Sequence, residues 1–132
     1  MTTPYMIARL PGSMEFKRLF TQREAESALP LVRQIVTDVL ETARKIRELD
    51  ESDGEQPRLQ AELEEHLLEL EDMGCFFKDW NFSTGLVDFP AVIDGETVFL
   101  CWRSDESELA WYHPIEEGYQ GRRPLPETSP VE

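Results

Sequence analysis

Asp94-Gly95 is the dipeptide that most restricts how this chain can fold. A two-residue hairpin turn needs positive φ at both central positions, which aspartate tolerates and glycine adopts freely, so a turn here sets the register of its two strands. Centring it pairs Ile93 with Glu96, Ala91 with Val98, Phe89 with Leu100 and Val87 with Trp102, all on one face. Nearly all are apolar, so that face is expected against a core. The other face carries Leu86, Asp88, Pro90, Val92, Thr97, Phe99, Cys101 and Arg103, with Asp88 opposite Cys101. Pro90 has no N–H for a ladder, which predicts an edge position or a bulge near it.

Residues 104–107 read as a second turn leading into Leu109-Ala110-Trp111-Tyr112-His113. A four-residue loop opposes Arg103 to Glu108, a favourable cross-strand pair. A three-residue loop reverses the face of every later side chain, and both registers remain open at this stage. Upstream, Cys75-Phe76-Phe77-Lys78 reads as a short strand and residues 79–84 as a turn. Beyond Pro114 an ordered loop containing Gly118 and Gly121 is expected, then a flexible tail over residues 126–132.

The period changes upstream of the strands. Thr21 with Glu24 three residues on is a capping box, and Phe20 stands where it can staple onto Ala25. Pro30 lacks an N–H and disfavours helical geometry at Leu29, which predicts a short helix over residues 22–28 and a new helix starting at Pro30. Val32, Ile35, Val36, Val39, Ala43, Ile46 and Leu49 then keep helical spacing, with Glu41 and Lys45 paired on the outer face. Asp50-Glu51-Ser52-Asp53-Gly54 forms a loop. Pro57 suits the first turn of the next helix and Gly74 its C-terminal cap, with Leu59, Leu63, Leu67, Leu70 and Met73 as the buried stripe. The short loop implies an antiparallel helical hairpin. Glu62, Glu64, Glu65, Glu69, Glu71 and Asp72 make its outer face acidic, a solvated face or a docking surface for a basic partner.

The fold class is therefore α+β: a helical hairpin, with a short preceding helix, on an antiparallel meander of three to four strands. Residues 20–125 are expected to form one domain, and residues 1–19, with Pro4, Pro11 and Gly12, a partly ordered arm. A net charge of −14 disfavours nucleic acid and anionic membranes. No signal peptide or membrane span is legible, and two cysteines without a C-x-x-C suggest a reducing, cytoplasmic setting.

Several fragments together resemble the DUF2203 family of small bacterial proteins. They are Phe20-Thr21 with Glu24-Ala25, Leu29-Pro30-Leu31-Val32, Gly74-Cys75 with Lys78-Asp79, Gly85-Leu86-Val87-Asp88-Phe89-Pro90, Asp94-Gly95, Leu100-Cys101-Trp102, Trp111 with His113, and Gly118-Tyr119 with Gly121-Arg122 and Pro124-Leu125. The resemblance runs in one order over residues 20–125. It implies a helical hairpin joined to a small sheet, and it carries no activity across.

Candidate chemistry gathers in those fragments. Asp88, His113 and Glu117 are the candidate catalytic set, and Asp88, His113 and Glu116 the candidate ligands of a divalent metal. A carboxylate beside an imidazole orients the ring and raises its basicity. The structural alternative pairs Asp88 with Arg122 or Lys78, which are candidates for a clamp or an anion site. Glu62 and His66 share i, i+4 spacing that reads as accidental among so many glutamates. Cys101 needs a depressed pKa to act as a nucleophile and otherwise packs in the sheet, while Cys75 reads as a core residue. Trp80, Phe82, Trp102, Trp111, Tyr112 and Tyr119 exceed what a small core needs, so the outer face is covered by the Gly118 loop or binds a partner. The favoured function is a non-enzymatic interaction or self-association module without a cofactor. The rival is a small metal-dependent or acid/base enzyme around Asp88, His113 and Glu116 or Glu117.

Overall fold

The protein, seen here as a computed structural model, is described over residues 16–126. Within them two helices precede a five-stranded antiparallel sheet. Helix α1 spans Gln22–Glu48 and α2 Gln56–Asp72. The strands are β1 (Phe76–Phe77), β2 (Leu86–Ile93), β3 (Glu96–Arg103), β4 (Trp111–Pro114) and β5 (Arg123–Pro124), neighbours in chain order throughout. The sheet exceeds the expected three to four strands by β5, a two-residue piece that pairs with β4, while β1 falls within the short strand expected over residues 75–78. The first fifteen residues of the expected arm, and the expected tail beyond Pro126, lie outside the described residues.

The capping box forms as expected. Glu24 N–H donates to Thr21 Oγ1 at 3.0 Å and Thr21 N–H to a Glu24 carboxylate oxygen at 2.9 Å. Phe20 is buried with Ala25, its N–H donates to the Pro90 carbonyl at 2.7 Å, and its ring meets Phe89 edge-on. The helix start is therefore anchored to the sheet. Pro30 does not end it: α1 continues for 27 residues with the proline inside. Proline in a helix interior costs about 3 kcal/mol. Leu29, Val32, Ile35, Val36 and Val39 are buried on the same helix, each contributing roughly 1.5–3 kcal/mol. One continuous apolar stripe outweighs one lost hydrogen bond, and the interruption falls at Glu26 and Pro30 on the exposed side. The separate short helix expected before Pro30 is absent for that reason.

At the end of α2, Gly74 takes φ +92°, its N–H bonds the Glu71 carbonyl and that of Cys75 the Leu70 carbonyl. The chain there enters β1. The Asp94–Gly95 turn has φ +52° and +79°, and its register pairs Ile93 with Glu96 through to Val87 with Trp102, as expected. Such a turn closes on a hydrogen-bonded pair, so alternation leaves Pro90 and Phe99 as a non-hydrogen-bonded pair. Pro90 therefore needs no donor toward β3. On its other side β1 pairs only as far as Asp88, so Pro90 sits at a local edge and the ladder continues without a bulge.

Phe77, Val87, Phe89, Ala91, Ile93, Val98, Leu100 and Trp102 pack with the α1 stripe and Leu70 into the main core. A second cluster lies on the opposite face, where Phe16 meets Phe76 and Phe99 edge-on at 5.8 and 5.7 Å, with Leu19 and Ile115 against them. Gly85 marks the closest approach of sheet to α1. A Cβ there would fall 2.2 Å from Val36 Cγ1, far inside contact distance. Gly85→Ala should therefore cost roughly 1–3 kcal/mol by overpacking. Urea unfolding measures it, and an unchanged midpoint would contradict the close approach.

Candidate functional site

The site is built by strand register on the face away from the helices. Asp88 faces Cys101 across β2 and β3, and His113 faces Phe99 across β3 and β4. Because Cys101 pairs with Trp111, extending the ladder sets Arg103 against Leu109 and leaves residues 104–108 as the connection. That loop is one residue longer than the four-residue reading and two longer than the three-residue one. The expected Arg103–Glu108 pair is not formed, and Arg103 instead binds Asp105 at 2.7 Å and the Tyr119 hydroxyl. Glu106 explains the extra residue, since it folds back into the loop. Its carboxylate accepts Arg103 N–H at 2.8 Å, and its carbonyl accepts Trp102 Nε1–H at 3.0 Å and Arg33 at 3.3 Å.

Asp88 and His113 are each 3% exposed, and Asp88 Oδ2 lies 3.2 Å from His113 Nε2. His113 Nδ1 is 2.8 Å from the Pro114 carbonyl oxygen. A carbonyl only accepts, so Nδ1 carries a hydrogen and Nε2 is the nitrogen turned toward the carboxylate. With Nδ1 protonated, a hydrogen bond from Nε2 to a carboxylate requires the imidazolium. Burial opposes that charge, but the hydrogen bonds to Asp88 and Pro114 and the Asp88 charge outweigh it, holding the His113 pKa above its ordinary value. Cys101 completes the cluster. Burial first, and the neighbouring Asp88 second, push its thiol up to about 12, so it is no nucleophile as it stands. Ligand-type atoms of Asp88, Cys101 and His113 all lie within 4.8 Å of one another. The three line a cavity of about 340 Å³ with Lys78, Phe99, Ile115, Glu116, Glu117 and Tyr119.

The model of one family, described as "Uncharacterized conserved protein (DUF2203)", matches residues 18–125. The chain belongs to the DUF2203 family. No curated protein matches it, and no solved structure does.

Within this DUF2203 chain the candidates separate by position. Asp88 and His113 come together. Lys78 reaches the same carboxylate, its Nζ 3.8 Å from Asp88 Oδ2 and against the Phe99 ring. Glu116 and Glu117 are exposed at the cavity rim, and Glu117 pairs outward with Arg123 at 3.2 Å. Arg122 clamps Glu106 rather than Asp88, at 2.6 Å to each carboxylate oxygen, and also donates to the Cys101 carbonyl at 3.0 Å. Glu62 and His66 turn to different partners, Arg58 and Glu69. Cys75 is buried in the main core. The outer face is covered in part, by Phe16 and Leu19 as well as by Ile115.

Two roles escaped the sequence. Glu106 is one acid among five in residues 104–108 and 116–117, with no spacing to single it out. Cys101 was placed opposite Asp88 by register, but its nearness to His113 depended on a loop length that the sequence left open.

The sign of the Asp88–His113 contribution to stability follows from the raised pKa. It is fully present below the unfolded histidine value of about 6.5 and is lost as pH rises through the folded value above it. In chelator, the stability advantage of the natural chain over His113→Asn should therefore shrink as pH is raised above the unfolded value of about 6.5. Urea unfolding at stepped pH checks it, and an advantage that grows with pH would reverse the assignment.

Proposed function

We propose that this protein is a small enzyme that binds a small polar molecule in the outer-face cavity and acts on it at the Asp88–His113 pair. The observation that carries this reading is a buried carboxylate and imidazole meeting at 3.2 Å on the floor of a cavity of about 340 Å³. Cavities of about 300–1,000 Å³ with a few convergent polar groups are the usual form of small-ligand sites. A larger trough of about 730 Å³ runs between α1 and residues 107–110, but imidazole and thiol are missing from its lining. Arg33 there is committed to the Glu106 and Ser107 carbonyls. Two free, buried thiols suit a reducing, cytoplasmic setting.

A purely acid–base role meets one obstacle. Both ring nitrogens of His113 have protein partners, so a bound molecule has to displace Asp88 from Nε2 to exchange a proton there. Screening small polar fragments by protein-observed NMR tests the cavity. Binders should shift Leu86, Phe99, His113 and Gly118, and Asp88→Asn or His113→Asn should weaken them. If every binder maps to the trough beside Arg33, the cavity is not the working site.

A docking role has a separate observation in its favour. Trp80 and Leu68 are 63% and 50% exposed beside a small hollow formed with Leu67, Phe76 and Phe77, with Glu64 and Glu71 at its rim. With α1 and α2 taken as an antiparallel hairpin, the hollow lies where α2 runs into the sheet. Its acidic rim suits an apolar side chain flanked by basic residues. Trp80→Glu should then abolish binding of a Lys-rich amphipathic peptide seen by fluorescence titration and leave cavity binding intact. Undiminished peptide binding would remove this second reading.

A further inference from the structure

We infer that Asp88, Cys101 and His113 together form a zinc-type divalent metal site on the floor of the outer-face cavity. The inference deepens the small-enzyme reading and rests on the cavity being the working site.

Three different donor types converge there: a carboxylate oxygen, a thiol sulfur and an imidazole nitrogen, within 4.8 Å of one another. Zinc bonds of about 2.0–2.3 Å place neighbouring donors of a tetrahedron about 3.3–3.6 Å apart. The Asp88–His113 separation, 3.2 Å, is already of that size. Cys101 has to close in from the 4.8 Å spread that the three donors show. The histidine is also prepared from behind. Its Nδ1–H is held by the Pro114 carbonyl, which is the support that orients a metal-bound imidazole and leaves Nε2 as the ligand atom. The sulfur selects a borderline-soft ion over magnesium or calcium.

Charge is conserved in the exchange. An aspartate, a neutral thiol and an imidazolium sum to zero, and so do an aspartate, a thiolate, a neutral imidazole and a dication. One metal ion replaces two protons, which leave to the buffer. Lys78 beside Asp88 is a cation that opposes entry, and Arg122 at Cys101 is another. Lys78 Nζ stands 3.8 Å from Asp88, beyond hydrogen-bond reach, on a side chain 38% exposed, so it is free to withdraw toward solvent. Three protein ligands leave a fourth position for water, whose acidity a bound zinc raises. That water gives the cavity an exchangeable proton that His113, with both nitrogens occupied, does not offer.

The test uses the full chain stripped with chelator and titrated with Zn²⁺ by calorimetry and with Co²⁺ by absorption. One ion per chain and a sulfur-to-cobalt charge-transfer band are expected. Cys101→Ala should abolish the band. Asp88→Asn and His113→Gln should each weaken Zn²⁺ by at least the roughly tenfold that even supporting partners of metal ligands contribute. Lys78→Met should tighten binding, whereas Cys75→Ala and His66→Gln should leave it unchanged. Circular dichroism checks that each variant is folded, and the cobalt spectrum of the natural chain stands even if one is not. A missing thiolate band, or a band that follows Cys75, overturns the site. Fragment binding in the cavity without metal binding would sink the metal and spare the enzyme reading; zinc binding at these residues with no cavity ligand would do the opposite.

Discussion

Arg122 reaches both carboxylate oxygens of Glu106 at 2.6 Å and the Cys101 carbonyl at 3.0 Å. A guanidinium satisfies all three acceptors because its donors lie in a planar fork. The pair is mostly buried, at 11% and 18% exposure, so the loop after β3 cannot release Glu106 without stranding a charge. The placing of β4 on the outer face depends on this. With Glu106 tied down, the β3–β4 connection takes five residues, and a strand shifted by one position would turn His113 to the helix side. The register that joins His113 to Asp88 is held by an ion pair that touches neither of them. Arg122 also lies over the Trp111 and Tyr119 rings, which ties β5 and the Gly118 segment to the same anchor.

How far this was legible depends on how local the determining signal is. The β2–β3 hairpin was readable to the residue because Asp94-Gly95 and the alternation around it agree, and both act within two strands. The Thr21–Glu24 cap and the Gly74 stop were readable for the same reason. Pro30 defeats a local reading because its penalty is local and its compensation is not: the stripe from Leu29 to Val39 gains its worth only against the strands of the sheet, far along the chain. The β3–β4 loop stayed open because its length is decided by Arg122 and Arg33, neither of which neighbours it in sequence. The site inherited that split. Asp88 facing Cys101 followed from the first hairpin, whereas the arrival of His113 followed from the second. Glu116 and Glu117 carried the right chemistry but follow the strand end, where the chain leaves the face that would have aimed them inward.

The charge of the chain has a spatial logic as well. The carboxylates of α2 are spread over its exposed side, where water screens them, and local partners such as Arg58 and Lys17 offset a few. Among the described residues Asp88 is the most deeply buried carboxylate, 3% exposed beside an aromatic cluster. Its surroundings provide His113, Lys78 and the Cys101 thiol, so its burial is compensated, but by groups that are themselves costly to bury.

That compensation is the strongest physical reason to regard the cluster as functional. Replacing a buried ionic group with apolar residues of similar volume is often neutral or stabilising by about 1–4 kcal/mol. The outer face offered that solution: Phe16, Phe76 and Phe99 already pack edge-to-face immediately beside Asp88, and Ile115 extends them. A leucine at 88 and a phenylalanine at 113 would continue that cluster and close the cavity. The chain instead keeps a carboxylate, an imidazole and a thiol on adjacent strands, with the imidazole braced against Pro114 and an opening left above them. Folding alone does not ask for this arrangement, because the ladder register, the α1 stripe and the Arg122 clamp are all complete without it. A polar centre that the scaffold does not need for its own register supports the proposal of chemistry at that centre.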